Sequence, residues 1–268
     1  MEIFQYEFMR RAFFAGTLLA VTASILGVFM VLRRESMVGH GLSHATFAGV
    51  ALGLLMGGSP FLFSLLVASI GALFMVYLKE GSGLGGDTGI GIVSSLGMAI
   101  GITIATLAGD FNADLLSYLF GSILTIQPGE VWISALLTIF TLGMLLFFYQ
   151  DLVYITFDKE CAMASGIPVG KIEVILGLIT AITVVVGMKV VGLLLVTALM
   201  VIPGACSLLL SGSVRSAILL SMLIGVGTVC VGLTLSYYLN LPASGCIVLT
   251  EGAVLGMALI VNMAKKGA

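Results

Sequence analysis

The stretch "KIEVILGLITAITVVVGMKVVGLLLVTALMVIPGACSLLL", residues 171–210, decides the fold class. Among its 40 residues only Lys171, Glu173 and Lys189 are charged. A helix that crosses a bilayer needs about 20 consecutive apolar residues, so the run is long enough for two crossings. Lys189 and Gly192 divide it, and one of the two pieces could instead be re-entrant. The stretch therefore predicts a protein that is embedded in a lipid bilayer.

The composition of the whole chain agrees with this prediction. Of 268 residues, 60% are hydrophobic and 9% are charged, and the mean hydropathy is +1.23. A soluble domain carries about 25% charged residues, so the chain lacks the charge for a water-facing surface. The formal net charge of -2 provides no basic surface for a nucleic acid. The four cysteines are widely spaced and are predicted to be small packing residues.

Apolar runs of membrane-spanning length follow one another along the chain. They lie near residues 12–32, 38–57, 60–78, 88–108, 131–149, 171–188, 190–210, 216–238 and 244–263. The sequence thus predicts an all-α, polytopic membrane bundle of eight or nine helices, with residues 1–268 forming one transmembrane domain. Nine spans with the N-terminus outside place eight of the 11 Lys and Arg residues inside, as the positive-inside rule favours. Eight spans with both termini inside are the alternative.

Two connections are longer than simple turns. Residues 109–130 carry two aspartates and an apolar face, and we expect them to lie along the outer interface. Residues 150–171 lie inside, and their charges lead into a predicted short amphipathic helix that ends at Gly166 and Pro168. The same segment contains "GIPVGK", which resembles a phosphate loop but has the wrong glycine spacing and no Ser or Thr after the lysine. The chain is therefore expected to bind no nucleotide itself.

Glycine is frequent, with 35 residues, and some glycines are spaced four apart, such as Gly49 with Gly53 and Gly97 with Gly101. Small residues let membrane helices approach each other closely. In so glycine-rich a chain this spacing also arises by chance. The pairs are therefore candidate contacts between helices.

The chain contains two histidines, His40 and His44, on one face of the second predicted helix. At a separation of four residues their side chains are neighbours, and such a pair can hold one metal ion, as HxxxH pairs do in zinc sites. The alternative is a histidine pair that bonds across helices and holds the bundle together. The spacing alone leaves the two readings about equally favoured. No HExxH motif is present, so a metalloprotease is not indicated.

Two further polar residues lie within apolar spans. A carboxylate at membrane depth is costly, so Glu251 in the last span is a candidate metal ligand or proton carrier. Its alternative is a structural carboxyl group that is protonated or hydrogen-bonded. Lys189 lies at a predicted helix end, where a lysine can extend its amine to the interface.

Four stretches of the sequence, in this order, resemble the integral-membrane permeases of ABC transporters for zinc and manganese. They are "VLRRESMVGHGLSHATFAGVALG" (31–53), "YITFDKECAMASGIPVGKIEVIL" (154–176), "VVGLLLVTALMVIPGACSLLL" (190–210) and "VGLTLSYYLNLPASGCIVLT" (231–250). The resemblance is closest to zinc-uptake permeases of Gram-positive bacteria. It implies a multi-pass protein of the bacterial cell membrane with the type II (cobalamin/metal chelate) importer architecture.

The resemblance also implies the function and the partners. A homodimer would form the path for a divalent metal ion, zinc above all, with two cytoplasmic ATP-binding subunits below it and an extracellular metal-binding lipoprotein above. The chain itself would be no enzyme and would hold no cofactor. Segment 150–171 would be the coupling segment, with Asp158, Glu160, Ala162 and Gly166 in the groove of the ATPase.

The family's motif in the second span usually reads Gly-Asp-x-x-Ser-His, which aligns with residues 39–44. His44 is then a metal ligand of the pathway, with Glu251 as a further candidate. His40 stands where the family has aspartate. The exchange removes a negative charge but keeps a nitrogen ligand, which favours zinc. It could also weaken transport.

Other functions fit the sequence less well. A manganese or iron permease of the same family is the first alternative. An ion-coupled secondary transporter would need several intramembrane carboxylates, and the sequence offers mainly Glu251. A membrane enzyme would need a motif that is not seen, and a siderophore or cobalamin permease would not need paired histidines.

Overall fold

The computed structural model describes residues 5–81, 86–107, 121 and 128–267. Within these ranges the chain forms ten helices: α1 (Glu7–Leu32), α2 (Val38–Leu55), α3 (Pro60–Gly81), α4 (Gly86–Leu107), α5 (Pro128–Phe157), α6 (Lys159–Ala164), α7 (Val169–Val191), α8 (Leu193–Leu210), α9 (Val214–Leu239) and α10 (Ala243–Gly267). The interfacial segment predicted at 109–130 lies almost entirely outside the described residues.

The prediction of an all-α membrane bundle is confirmed. Eight of the described helices are long and apolar enough to cross a membrane, while the apolar part of α8, Leu195–Leu210, is shorter. Helices α1, α2 and α7 are mostly buried within the protein. Helices α3, α4, α5, α9 and α10 carry many large exposed apolar side chains, which in a bilayer would contact lipid.

Helix α5 is longer than its predicted span, which ends at residue 149. It continues to Phe157 and bends at Phe148, where φ is -103° and ψ is 15°. The sequence after the bend, "QDLVYITF", carries one charge and remains largely apolar, so nothing in it stops the helix. The connection that follows is therefore shorter than predicted and consists mainly of α6.

Contacts between helix termini show which ends of the helices lie together. Lys159, the first residue of α6, contacts Glu80 near the end of α3 and Glu173 near the start of α7. We refer to this end of the bundle as the α6 end. At the opposite end the amine of Lys189, late in α7, lies 2.8 Å from the carboxylate of Glu130, early in α5. Successive helices thus run in alternating directions.

Helix α8 crosses the bundle despite its length. It begins one residue after α7, at the end opposite α6. It is followed by α9, whose Arg215 lies 5.3 Å from the ring centroid of Tyr149 in the last third of α5, towards the α6 end. An 18-residue helix is about 27 Å long, close to the thickness of the hydrocarbon core. The arrangement agrees with nine crossings.

Gly192 alone connects α7 to α8. Its φ of +92° lies in the left-handed region that glycine adopts without the steric cost of a Cβ. The chain therefore reverses direction between two helices within one residue. This explains how the 40-residue apolar stretch forms two helices with so short a break.

Both glycine pairs lie at close helix contacts around α2. A Cβ on Gly49 would lie 2.5 Å from the Cα of Ser64 in α3, and one on Gly53 would lie 2.6 Å from the Cα of Pro60. On the other side, a Cβ on Gly97 of α4 would lie 2.7 Å from the backbone nitrogen of Ala45. Helix α2 is thus held between α3 and α4 with its backbone in direct contact with both.

We expect Gly97→Leu to destabilise the protein and Gly91→Leu to leave it nearly unchanged. A Cβ on Gly97 would collide with the backbone of α2, whereas one on Gly91 in the same helix meets nothing within 4 Å. Overpacking of this kind costs about 1–3 kcal/mol. The thermal unfolding midpoint in detergent measures it, and equal midpoints for the two variants would contradict this packing.

Candidate metal site

His40 and His44 form a close pair on α2. Their Nε2 atoms are 3.1 Å apart, and the rings meet edge to face with centroids 4.5 Å apart. Both side chains are partly buried. The predicted placement on one helical face is therefore correct, and both imidazoles direct the same nitrogen to one point.

This geometry suits a shared metal ion as well as a hydrogen bond. Two imidazole nitrogens bound to one tetrahedral zinc ion at about 2.0–2.1 Å are roughly 3.3 Å apart, close to the observed separation. A single proton between the two nitrogens gives the same distance. The Nδ1 atom of His44 is buried and has no hydrogen-bond partner among the described residues. Its Nε2 is therefore the ring nitrogen that has a partner in this structure, the Nε2 of His40.

Neighbouring small residues hold the pair in place. The carbonyl carbon of His44 would be 2.8 Å from a Cβ on Gly97, so α4 packs directly against the backbone that carries this histidine. The hydroxyl of Ser43 donates to the carbonyl of Gly39 at 2.9 Å and is buried. The serine of the Gly-x-x-x-Ser-His motif therefore bonds within its own helix and is not directed towards the two imidazoles.

The pair lies near the α6 end of the bundle. His40 and His44 are the third and seventh residues of α2, so the pair starts about 3 Å and ends about 9 Å along the helix axis from its first residue. Glu35, in the connection just before α2, pairs with Lys79 at the α6 end. The two histidines therefore lie in the half of α2 that is nearer to α6.

Glu251 lies apart from the histidine pair. Its side chain is fully buried in α10, and neither carboxylate oxygen has a hydrogen-bond partner within the described part of the chain. No group of three or more His, Cys, Asp or Glu side chains in the described ranges could hold a metal ion. His40, His44 and Glu251 thus do not form one site in this conformation. A carboxyl group buried in this way needs a proton or a cation to compensate it.

Lys189 forms contacts within the protein at the opposite end of the bundle. Its amine pairs with Glu130 at 2.8 Å and lies 5.4 Å from the ring centroid of Phe61. This pair joins α7 to α5, while the aromatic contact joins α7 to α3. Lys189 lies in the last turn of α7, at the predicted helix end, and its side chain contacts both α5 and α3 there.

Helix α6 is the short helix expected in segment 150–171. Asp158 precedes it in an extended conformation and accepts a hydrogen bond from the backbone nitrogen of Cys161 at 2.9 Å, which caps the helix. Gly166, with a φ of +84°, follows its end. Glu160 and Gly166 are exposed, whereas Ala162 is fully buried against the bundle. The exposed residues form the outer face of the helix, and Ala162 anchors its inner face.

The charge of Asp158 is stabilised by this cap. The hydrogen bonds from Cys161 hold the pKa of the Asp158 carboxyl below its ordinary value, and Asp158 in turn raises the pKa of the Cys161 thiol. The four cysteines form no disulfide, but Cys161 is exposed, in contrast to the packing role predicted for it. Cys206 and Cys246 are buried, as predicted.

Six charged side chains at the α6 end form an ion cluster that sequence reasoning missed. Glu173 is its centre, because Arg33, Lys79 and Lys159 all contact its carboxylate. Glu35 pairs with Lys79 and Arg33, and Glu80 pairs with Lys159. We refer to these six residues as the Glu173 cluster. The sequence feature that could have indicated this cluster is Glu173, the one acidic residue in the apolar stretch 171–210.

Comparison with known proteins places this architecture in a family. The model of the ABC 3 transport family matches residues 5–262. The chain belongs to the ABC 3 transport family. Among family relatives, the manganese import system permease protein ScaB of Streptococcus gordonii is 32% identical over 249 residues, covering 93% of this chain and 89% of that protein. Other relatives also have names that describe manganese transport or import.

Solved structures agree with the ABC 3 assignment. PsaBC from Streptococcus pneumoniae in complex with Fab matches with a TM-score of 0.84 and 30% identity, covering 96% of this chain and 92% of that chain. An inward-facing putative metal-chelate type ABC transporter matches with a TM-score of 0.68 and 16% identity, covering 94% of this chain and 85% of that chain. The second match supports the fold alone, and this fold is the one that the sequence predicted. The chain is thus a multi-pass permease subunit of a metal-ion ABC transporter in a bacterial plasma membrane.

We expect Asp158→Ala to loosen α6 and Asp158→Asn to preserve it, because asparagine caps a helix as well as aspartate does. Amide hydrogen exchange of residues 159–164, followed by mass spectrometry, measures the change. The pKa of Asp158 is lowered, so the charged cap is complete above the ordinary carboxyl pKa and is lost only as pH falls through the lower folded value. Protection beyond the intrinsic rate should thus be equal at pH 6 and pH 8.

Glu160→Ala is the matched control, since Glu160 is exposed in the same helix. It should leave the exchange of α6 nearly unchanged. Wild-type protection in the Asp158→Ala protein would show that the side-chain cap does not hold this helix.

Proposed function

We propose that the chain is the permease of an ATP-driven importer for divalent transition metal ions, with zinc as the first candidate. The observation that supports this most directly is the convergence of the His40 and His44 Nε2 atoms within 3.1 Å. Neutral imidazole is a good ligand for zinc, whereas manganese prefers carboxylate and water oxygens. Zinc is therefore the metal that the chemistry of the site favours.

The transporter in this proposal is a homodimer with two cytoplasmic ATP-binding subunits and an extracellular metal-binding lipoprotein. The α6 end is then cytoplasmic, and the exposed residues Asp158, Glu160 and Gly166 contact the ATPase. Ala162 acts from the inner face by fixing α6 to the bundle. The positive-inside rule supports this orientation, because Arg33, Lys79 and Lys159 lie together at the α6 end.

Transport needs a site that releases its ion. Two imidazoles fill half of a tetrahedral shell, so water or a second copy of the chain supplies the remaining ligands. An incomplete protein shell binds the ion for a short time and lets it go when the helices move. Because the pair lies near the α6 end, it is the binding site on the cytoplasmic side of the path. The ion therefore arrives from the opposite side of the membrane.

Glu251 enters the proposal as a ligand or proton carrier in another conformation. Its buried carboxyl has no partner in the described structure and lies on α10, away from the two histidines. Rigid-body movement of helices is the usual way in which transporters expose such a group to the path. Glu251 would then bind the cation, or a proton, before or after the histidine pair.

Manganese is the second candidate cargo. Several relatives of this chain have names that describe manganese transport or import. Zinc, manganese and iron should therefore compete for uptake by the permease with its ATPase in liposomes. Zinc should be the strongest competitor, and transport of manganese in preference to zinc would overturn the choice of zinc while leaving the importer intact.

We expect His44→Ala to lower zinc uptake at least tenfold in cells that express the complete transporter. Loss of a group that merely supports a metal ligand already costs about 10–100-fold in metal affinity or activity. Leu55→Ala is the control, because Leu55 is the last residue of the same helix and is exposed. Undiminished uptake by a normally expressed His44→Ala protein would contradict the ligand role.

We expect His40→Asp to move metal preference from zinc towards manganese. The substitution restores the carboxylate that the family motif usually carries at this position and exchanges a nitrogen ligand for an oxygen ligand. The ratio of zinc to manganese uptake in a two-metal competition measures the shift. A ratio equal to that of the wild type would show that His40 does not set the choice of metal.

A further inference from the structure

The Glu173 cluster joins separate parts of the chain around one buried carboxylate. The side chain of Glu173 is 3% exposed. Its Oε1 atom lies 3.0 Å from the amine of Lys79, and its Oε2 atom lies 3.2 Å from the amine of Lys159. Arg33 also contacts Oε1. Three cations, from α3, from α6 and from the turn after α1, therefore share a single acceptor on α7.

One arm of the cluster reaches α6. Lys159 is the first residue of that helix, and its amine is 3.2 Å from both Glu173 and Glu80. Asp158, immediately before it, caps α6 and fixes the position of the turn. A displacement of α6 therefore acts on the carboxylates of α3 and α7 through Lys159.

The other arm reaches the helix that carries the histidines. Glu35 contacts both Arg33 and Lys79, and its carbonyl accepts a hydrogen bond from the nitrogen of Val38 at 3.0 Å. Val38 is the first residue of α2, and His40 follows two residues later. The cluster is thus connected through a short, hydrogen-bonded turn to the start of α2.

A cavity of about 60 Å³ separates the cluster from the adjoining part of α2. Arg33, Lys79 and Glu173 line it on the charged side, and Val38 and Leu42 line it from α2. Leu42 lies between the two histidines in sequence and is fully buried. Space beside α2 at this point gives the helix room to shift when the cluster moves.

A buried carboxylate that contacts three cations cannot lose one of them without a loss of stability. Removing one partner of a buried ion pair leaves a charge uncompensated and is strongly destabilising. When α6 is pushed, the groups around Glu173 must therefore move together or exchange partners within the cluster. Either response transmits the displacement to the turn before α2.

We propose that the Glu173 cluster is the mechanical connection between α6 and the histidine pair, with Lys159 and Glu173 as positioning residues. This inference rests on the proposed function, in which the ATPase contacts α6. Closure of the ATPase moves Lys159, the cluster moves the Glu35 turn, and α2 changes the position of His40 and His44. The charge of Lys159 thus couples ATP hydrolysis to metal transfer.

The test is the number of metal ions transported per ATP hydrolysed by the permease–ATPase complex in liposomes, with zinc and manganese as the probes. Lys159 is 34% exposed, so its substitution does not open the core. We expect Lys159→Ala to lower this ratio about two- to thirtyfold, the range of coupling changes within such networks. Lys159→Arg keeps a cation at the position and should restore most of the ratio.

Lys265→Ala is the matched control. Lys265 is an exposed lysine in the last turn of α10, outside segment 150–171, and it forms no salt bridge with any described residue. Its ratio should equal that of the wild type. A purely structural role for Lys159 would lower expression or both rates together, and the ratio would stay unchanged.

The outcomes separate the two proposals. If the wild-type complex transports neither zinc nor manganese, the proposed function fails. If the wild type transports a metal and Lys159→Ala keeps the full ratio, the coupling role is overturned and the importer stands. A lowered ratio in Lys265→Ala as well would also overturn it, since the effect would then not depend on the cluster.

Discussion

Helices in a bilayer gain no hydrophobic free energy by leaving lipid for one another, so this bundle depends on close backbone contact. The contact is tightest around α2, where Gly49 and Gly53 meet α3 and Gly97 meets the backbone of His44 and Ala45. The spacing of the two histidines brings their imidazoles together on one helical face, and close packing on both sides fixes the position of the helix that carries them. The small residues thus hold the backbone of the candidate metal site in place, although they take no part in its chemistry.

Charged side chains divide the bundle into two ends with different properties. At the end opposite α6, Lys189 pairs with Glu130, and this contact joins two helices, α7 and α5. At the α6 end, five charged side chains surround the buried Glu173, and removing one of them would leave a buried charge uncompensated. The Glu173 cluster lies beside α6, the helix that is proposed to contact the ATPase. Because its charged groups must keep their partners, a movement of α6 would be passed on to the neighbouring helices.

Composition and periodicity were enough to predict the all-α fold, the helix positions and the pairing of His40 with His44, because these depend on residues near in sequence. The extension of α5 to Phe157 was missed, since a largely apolar stretch gave no stop signal. The Glu173 cluster was also missed, since it joins residues up to 140 positions apart. Such contacts follow from helix packing, which hydrophobic patterns do not specify.

The proposal of zinc as the metal rests on what a transport site requires. A transporter needs ligands that select an ion but also release it, and two imidazoles meet this requirement for zinc because they leave half of the shell to water or to a second chain. A carboxylate at position 40 would add negative charge and oxygen, which suits manganese. The pair is therefore expected to hold a nitrogen-preferring ion weakly. His40 and His44 lie on one helix, so in the proposed importer a movement of α2 against α4 would carry both imidazoles together and separate the ion from the ligands that complete its shell.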